Sequence, residues 1–423
     1  MYKERSKRLS HREFRLAASR LSRRAANLCG PLALALTAGC GDLLTEAPEP
    51  GDLFDGPLDG LGGEELAGFI AGDEQFGLAF TPSTGLGPIF NDVSCAACHS
   101  GDGRGRRENS LTRISRGSAD LALDVGGPQI QDRAISGARP EQVPAGVDVS
   151  VRLPPPVFGV GLIEAIPVAD ILANADELDL DSDGISGRPN MVRPAEFVPR
   201  SEPGAGPGSQ LGRFSRKAQV SSLLQQTVEA YHQDIGVTSD FLPVENFNPQ
   251  SSRADQGADV VADPELPATQ VLAVVNYIRL LAPPAPGEDT EPRRRGRELF
   301  GQIGCASCHT PEFTAGPSPI PSMSGRPVVL YSDLLLHDMG EALADLRPDG
   351  DASGREWRTT PLWGLRLMRD FLNGDAFLLH DGRAATVEEA ILLHGGEARS
   401  VRDAFDTLQE ADRRALLDFV ESR

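Results

Sequence analysis

Cysteine and aromatic side chains are both scarce in this sequence. Its 423 residues contain six Cys, two Trp and four Tyr, and aromatics make up 5%. So few Cys in so long a chain exclude the disulfide-stapled class, whose members are short and Cys-dense. Histidine is nearly as rare, at seven. Beyond residue 39 no stretch approaches the ~20 consecutive apolar residues that a spanning helix requires. Positive charge is also short. Residues 1–39 hold nine Lys/Arg against two Asp/Glu, while the remainder carries 32 basic and 59 acidic residues, a net charge of −27. That surface argues against nucleic acid and suits either a basic redox partner or solubility alone. Gly (45) and Pro (33) are plentiful, so turns and ordered loops should make many of the connections.

The basic excess at the N-terminus precedes a short apolar run, Leu28 to Ala38, too short to span a bilayer. The run ends Leu36-Thr37-Ala38-Gly39-Cys40, which resembles a bacterial lipobox with Cys40 as the lipid-carrying first residue. Residues 1–39 are therefore expected to be a signal peptide, and the mature protein to be exported to the periplasm or cell envelope and held by lipid at Cys40. Residues 40–60, rich in Pro, Gly and acidic side chains, read as a flexible tether.

Cys29 falls in the expected signal peptide, Cys40 is the expected lipid carrier, and the other four Cys occur in two matching stretches. These are Cys95-Ala96-Ala97-Cys98-His99 and Cys305-Ala306-Ser307-Cys308-His309. C-x-x-C-H is the attachment signature of c-type haem. Two thiols on one helical turn add across the two vinyl groups of a porphyrin, and the adjacent imidazole becomes the proximal iron ligand. The rival is a tetrathiolate zinc site built from both pairs. The His after each pair, the long separation of the pairs and the expected export all favour two covalently bound haem c groups.

Apolar residues recur at helical spacing from about Leu61 to the first motif, and Arg297 to Gly301 leads into the second. Similar patterns run from Thr269 to Leu281 and from Asp412 to Val420. The expected fold is mainly α, with two cytochrome c-like haem domains in tandem and long ordered loops. The first domain (residues 61–284) is enlarged, and the second spans 285–423 after a hinge at Pro283–Arg295. A shared P-x-x-G supports duplication. Pro156-Val157-Phe158-Gly159 follows the first motif His by 57 residues, and Pro361-Leu362-Trp363-Gly364 follows the second by 52. In the first domain Asp179, Asp181, Asp183 and Gly184 match the opening of a calcium loop. Asn190 stands where such a loop places its bidentate Glu, so calcium and a solvated acidic turn both remain open.

Beyond the two proximal ligands, the mature chain has His232, His337, His380 and His394, three of them after the second motif. The second haem has several candidates for a sixth ligand, whereas the first has only His232 or Met191. A haem with an open position can bind peroxide, while one with both axial positions filled can only pass electrons.

Several longer blocks resemble the di-haem oxidoreductase family, sometimes labelled thiol-oxidoreductase-like. They include Tyr331 to Gly340, Trp357 to Leu365, His380-Asp381-Gly382-Arg383-Ala384 and Glu388 to Ala398, with Gly161 to Pro167 and Asp183 to Asn190 earlier. The resemblance covers roughly residues 60–423 and extends, more distantly, to bacterial di-haem cytochrome c peroxidases and to the di-haem enzyme that matures methylamine dehydrogenase. It implies that His394 is the distal ligand of the second haem. It also places Glu164 near the distal side of the first, as the acid/base candidate for splitting peroxide. His337 and His380 fit hydrogen-bonding roles better than ligation. Near Arg216 the family leads one to expect a Trp that this chain lacks; Trp357 and Trp363 are the remaining aromatic candidates. The literal thiol-oxidoreductase label finds no free mature Cys pair. The expected activity is peroxidase-like, with electrons from a small donor protein or mediator entering at the second haem and hydrogen peroxide or another oxidant reduced at the first. Two alternatives stay open: a non-catalytic di-haem electron carrier, and oxidative modification of a partner protein.

Overall fold

The computed structural model describes residues 51–99, 101, 103–117, 123–251 and 257–423. The expected signal peptide, Cys40 with its lipid, and the first half of the expected tether lie outside the described residues. Residues 51–60 correct the tether expectation. Phe54 and Leu58 are buried, the Gly56 and Leu58 backbones pair with Ala282 and Leu280, and the Phe54 ring stacks on Phe158 at 5.1 Å. Two well-placed apolar side chains outweigh a polar local composition.

Among the described residues, six α-helices precede the second motif's leading helix: α1 (Gly63–Phe76), α2 (Cys95–Cys98), α3 (Val160–Ala165), α4 (Val168–Leu172), α5 (Leu223–Ala230) and α6 (Ala268–Leu280). The rest are α7 (Glu291–Gln302), α8 (Met368–Phe371), α9 (Val387–Leu392), α10 (Arg399–Asp406) and α11 (Glu410–Glu421). At the start of α1 the Gly62 amide donates to Glu65 Oε2, and Glu64 and Glu65 complement the helix dipole. Helix α1 buries Phe69 and Phe76 against Tyr277 of α6, whose Val271, Val274, Val275 and Ile278 form one apolar stripe. In the second half α7 packs on α11 in the same way, with Phe300 against Phe419 at 5.5 Å. Each helix that leads into a motif is thus crossed by a later amphipathic helix. The expected hinge is pinned: Ala285 and Gly287 amides donate to Gly51 and Ser422 carbonyls, and α7 begins at Glu291.

The fold is mixed rather than mainly α, with 32% helix and 12% strand. Its strands form five antiparallel pairs, the longest joining Leu111–Ser115 to Asp148–Arg152. Sequence periodicity hid this ladder because its alternation is inverted. Ser150 and Arg152 face inward while Val149 and Val151 are exposed. The P-x-x-G segments, by contrast, pack reciprocally. Both glycines adopt positive φ (+73° at Gly159 and +75° at Gly364), which favours residues without a Cβ. A Cβ on Gly159 would strike Trp363, and one on Gly364 would strike Phe158.

Pro50–Arg423 form one compact unit. Its larger core runs from Phe54 to Leu281 and also takes in Phe313, Met323, Val328, Leu330, Leu334 and Leu335 from beyond the second motif. The smaller core gathers Leu299, Phe300, Tyr331, Phe405, Leu416 and Phe419. An ion network links the halves. Arg152 lies 2.5 Å from Asp349 and 3.4 Å from Asp345, Lys217 lies 2.9 Å from Asp345, and Arg347 also pairs with Asp349. Burial alone would raise the Asp349 pKa, but Arg152, Arg113 and Arg347 outweigh it and hold the carboxyl well below the usual range. A folded-state pKa depressed in this way contributes stability above the unfolded value of about 3.9, and that contribution is lost as pH falls below it. Asp349→Asn should destabilise the protein by roughly 3–5 kcal/mol at neutral pH and flatten the acid limb of its stability profile. Urea unfolding across pH 3–7 reads both, and a variant indistinguishable from the parent would remove the network from this role.

Candidate functional site

Each C-x-x-C-H motif folds as a short turn with its side chains aimed into a cavity. At the first, Ser94 Oγ accepts from the Ala97 amide, capping α2, and the His99 amide donates to the Cys95 carbonyl at 2.9 Å. At the second, Gly304 enters the turn at φ +96° and the His309 amide donates to the Cys305 carbonyl at 2.9 Å. The first cavity, of about 200 Å³, is lined by Cys95, Cys98 and His99 together with Phe76, Pro156 and Trp363. The second, of about 220 Å³, is lined by Cys305, Cys308 and His309 together with Met339, His380 and His394. The two Cys pairs therefore serve separate cavities, and their thiols do not converge on one zinc ion.

Burial pushes the His99 and His309 pKa values down to about 4, so both imidazoles are neutral at neutral pH and each keeps a lone pair. His309 Nδ1–H donates to the Tyr331 carbonyl at 2.8 Å, which leaves Nε2 unprotonated. His394 is arranged alike: Nδ1–H donates to the Ala390 carbonyl at 2.7 Å, and burial lowers its pKa. His337 lines the same cavity with both nitrogens engaged, Nε2 by Asp333 at 2.8 Å and Nδ1 by Glu397 at 2.9 Å. Burial opposes its charge, but the two carboxylates prevail and raise its pKa well above the usual range. His380 stacks on Trp357 with ring centroids 3.6 Å apart. Trp363, the other aromatic candidate, lines the first cavity.

The first cavity is different. Among the described residues lining it, His99 is the sole imidazole and there is no Met. His232 is not among them: it sits on the π-helical turn Tyr231–Ile235 and its Nε2 bonds the Val244 carbonyl at 2.9 Å. Met191 lies on a short strand, 38% exposed. Glu164, too, misses the cavity, and its expected acid/base place is corrected. Arg279 donates to both its oxygens, at 2.7 and 3.1 Å, and the pair fastens α3 to α6. Sequence cannot tell which face of so short a helix carries a lone Glu. The carboxylate that does line the cavity is Asp234, on the π-helical turn with His232. Burial raises its pKa to about 6, against the pull of Gln129 and Arg113. It escaped sequence reasoning as one of 61 acidic residues with no motif around it.

Of the calcium candidates, Asp179 and Asp181 converge with Asp176, which the loop pattern did not include, and Asp183 is outside that group. A second acidic group, Glu245, Asp263 and Glu265, had no sequence signature.

Basic residues supply the last feature. Arg216, Arg358, Thr360 and Pro361 line both cavities, and Arg104 lines the second. Arg216 Nη1, Arg358 Nη1 and Arg104 Nε are buried donors with no partner among the described residues. Such orphaned cationic donors fit a cofactor that carries carboxylates. Neutral imidazoles beside paired thiols fit its iron and vinyl groups, so the residues present match haem at both cavities.

The sequence matches the family described as "Di-haem oxidoreductase, putative peroxidase" over residues 37–116 and 135–423. The chain belongs to this di-haem oxidoreductase family. No curated protein matches it. Among solved structures, hydrazine synthase of Kuenenia stuttgartiensis is 16% identical, covering 90% of this chain and 96% of its own, with a TM-score of 0.37. A MauG-like protein associated with microbial copper homeostasis is 15% identical over 63% of this chain and 87% of its own, with a TM-score of 0.28. TM-scores this low carry no argument.

If Glu164 is structural in this di-haem oxidoreductase, Glu164→Ala should cost roughly 3 kcal/mol by stranding Arg279. Turnover per folded molecule should stay within a factor of about two. A stable variant with lost turnover would return Glu164 to the chemistry.

Proposed function

We propose that this chain is an exported, peroxidase-type oxidoreductase with one covalently attached haem c at each motif. The asymmetry of the two cavities carries the reading. When bound, haem supplies one-electron storage and, where its iron has an open position, the capacity to reduce a peroxide. The thiols of Cys95, Cys98, Cys305 and Cys308 anchor the two groups, and His99 and His309 provide proximal nitrogens. His394 would supply a second nitrogen ligand in the second cavity, since the backbone bond at Nδ1 leaves its Nε2 unprotonated. That cavity is accordingly the port for electrons from a small donor protein or mediator. The first cavity, with no second imidazole or Met among its described lining residues, takes hydrogen peroxide.

Asp234 is its proton-transfer group. A carboxylate with a pKa near 6 accepts and returns a proton close to neutral pH. Arg113 and Gln129, which also line this cavity, lower that pKa and so favour the charged form. Export and the lipid at Cys40 rest on the sequence of residues 1–40, and calcium at Asp176, Asp179 and Asp181 on their convergence alone. The electron-carrier reading needs a sixth ligand in the first cavity, and neither His232 nor Met191 lines it.

Optical and EPR spectra of the purified oxidised protein should show one high-spin and one low-spin haem. Two low-spin haems that persist after partial reduction, without peroxide turnover, would sink the peroxidase reading in favour of the carrier. His394→Ala should convert the low-spin species to high spin. Asp234→Asn should keep both haems yet lower peroxide turnover by ~10²–10⁴. In the parent, turnover should fall as pH drops through about 6; a flat profile would remove Asp234.

A further inference from the structure

The buried arginines between the cavities have a function of their own. Arg216 is 4% exposed, Arg104 6% and Arg358 8%. Arg216 Nε and Nη2 donate to the Leu153 carbonyl at 3.1 Å, and Arg358 Nε donates to the Ser215 carbonyl at 3.1 Å. Arg104 Nη2 donates to the Leu379 carbonyl at 3.3 Å. Among the described residues none of the three forms an ion pair. Carbonyl oxygens satisfy part of each fork, and Asp381 and Asp333 act on Arg216 and Arg358 only at a distance, without a direct ion pair among the described residues. Burial and the nearby guanidinium groups of Arg104, Arg358 and Arg152 lower the Arg216 pKa well below its usual range. Like charges held together in a low dielectric require an anion, and removing the anion from such a group costs several kcal/mol. The orphaned Nη1 atoms of Arg216 and Arg358 belong to side chains that line both cavities.

We propose that Arg216 and Arg358 form a single carboxylate clamp shared by the two cavities. It holds a propionate arm of each haem and raises the reduction potential of both. This rests on the di-haem reading above and adds that one pair of side chains governs both centres. A positive charge near a haem favours the reduced form, so its loss makes that haem harder to reduce. Arg104, which lines only the second cavity, should act on that haem alone.

Spectroelectrochemical titration of the full-length protein, monitoring the two haems separately by EPR, tests the clamp. Arg216→Gln should shift both one-electron equilibria about tenfold toward oxidation, ~59 mV each, and Arg216→Lys should restore most of the shift. Arg104→Gln should move the second haem only. If Arg216→Gln lowers haem content, Arg358→Gln takes its place with the same two-haem expectation. Two haems per chain with neither or only one midpoint displaced would overturn the clamp and leave the di-haem reading standing. Fewer than two haems per parent chain in a pyridine haemochrome assay would overturn the reading itself.

Discussion

Burial of positive charge along the seam between the cavities is the constraint from which the rest follows. Arg104, Arg216, Lys217, Arg347 and Arg358 all sit in the interior of a strongly acidic protein. A guanidinium out of water must meet an anion or it destabilises the fold. The chain answers in two ways. Asp345 and Asp349 neutralise Arg152, Lys217 and Arg347 from within, which ties a strand of the first half to a loop of the second. Arg104, Arg216 and Arg358 have no carboxylate partner among the described residues, and each keeps a buried donor atom unpaired there.

Imidazole chemistry is controlled by the same means on a smaller scale. Burial keeps His309 and His394 neutral, and a backbone carbonyl at Nδ1 sets the tautomer that leaves Nε2 its lone pair. Two carboxylates at both nitrogens make His337 a buried cation with no lone pair. Identical side chains lining one cavity thus receive opposite roles from their neighbours. The first cavity has one buried, neutral imidazole, His99, and its described lining supplies no second. Burial there acts on a carboxylate instead, at Asp234.

What could be read without coordinates was the chemistry that has fixed spacing. The two C-x-x-C-H motifs, the helices leading into them and the closing helices stand where periodicity and motif place them. Groups whose role depends on which way they face were not legible. Glu164 carries the residue type expected of an acid but turns toward Arg279, and Asp234 has no motif to announce it. In Asp148–Arg152, the partner strand of Leu111–Ser115, the polar Ser150 and Arg152 are inside, so no ordinary apolar alternation marked the ladder. Arg216 drew notice only as a place where an aromatic was missing. A cluster of Arg within a chain of net negative charge was the available signal.

The interleaved cores also fix an order of events during synthesis. Phe313 to Leu335 complete the larger core, yet they emerge from the ribosome after the second motif. The hydrophobic wall behind the first motif cannot close until that later segment has been made, since non-local contacts form only once both partners exist. Until then Cys95 and Cys98 stand on an unfinished surface. A chain stopped near residue 284 would have its first motif but an incomplete larger core.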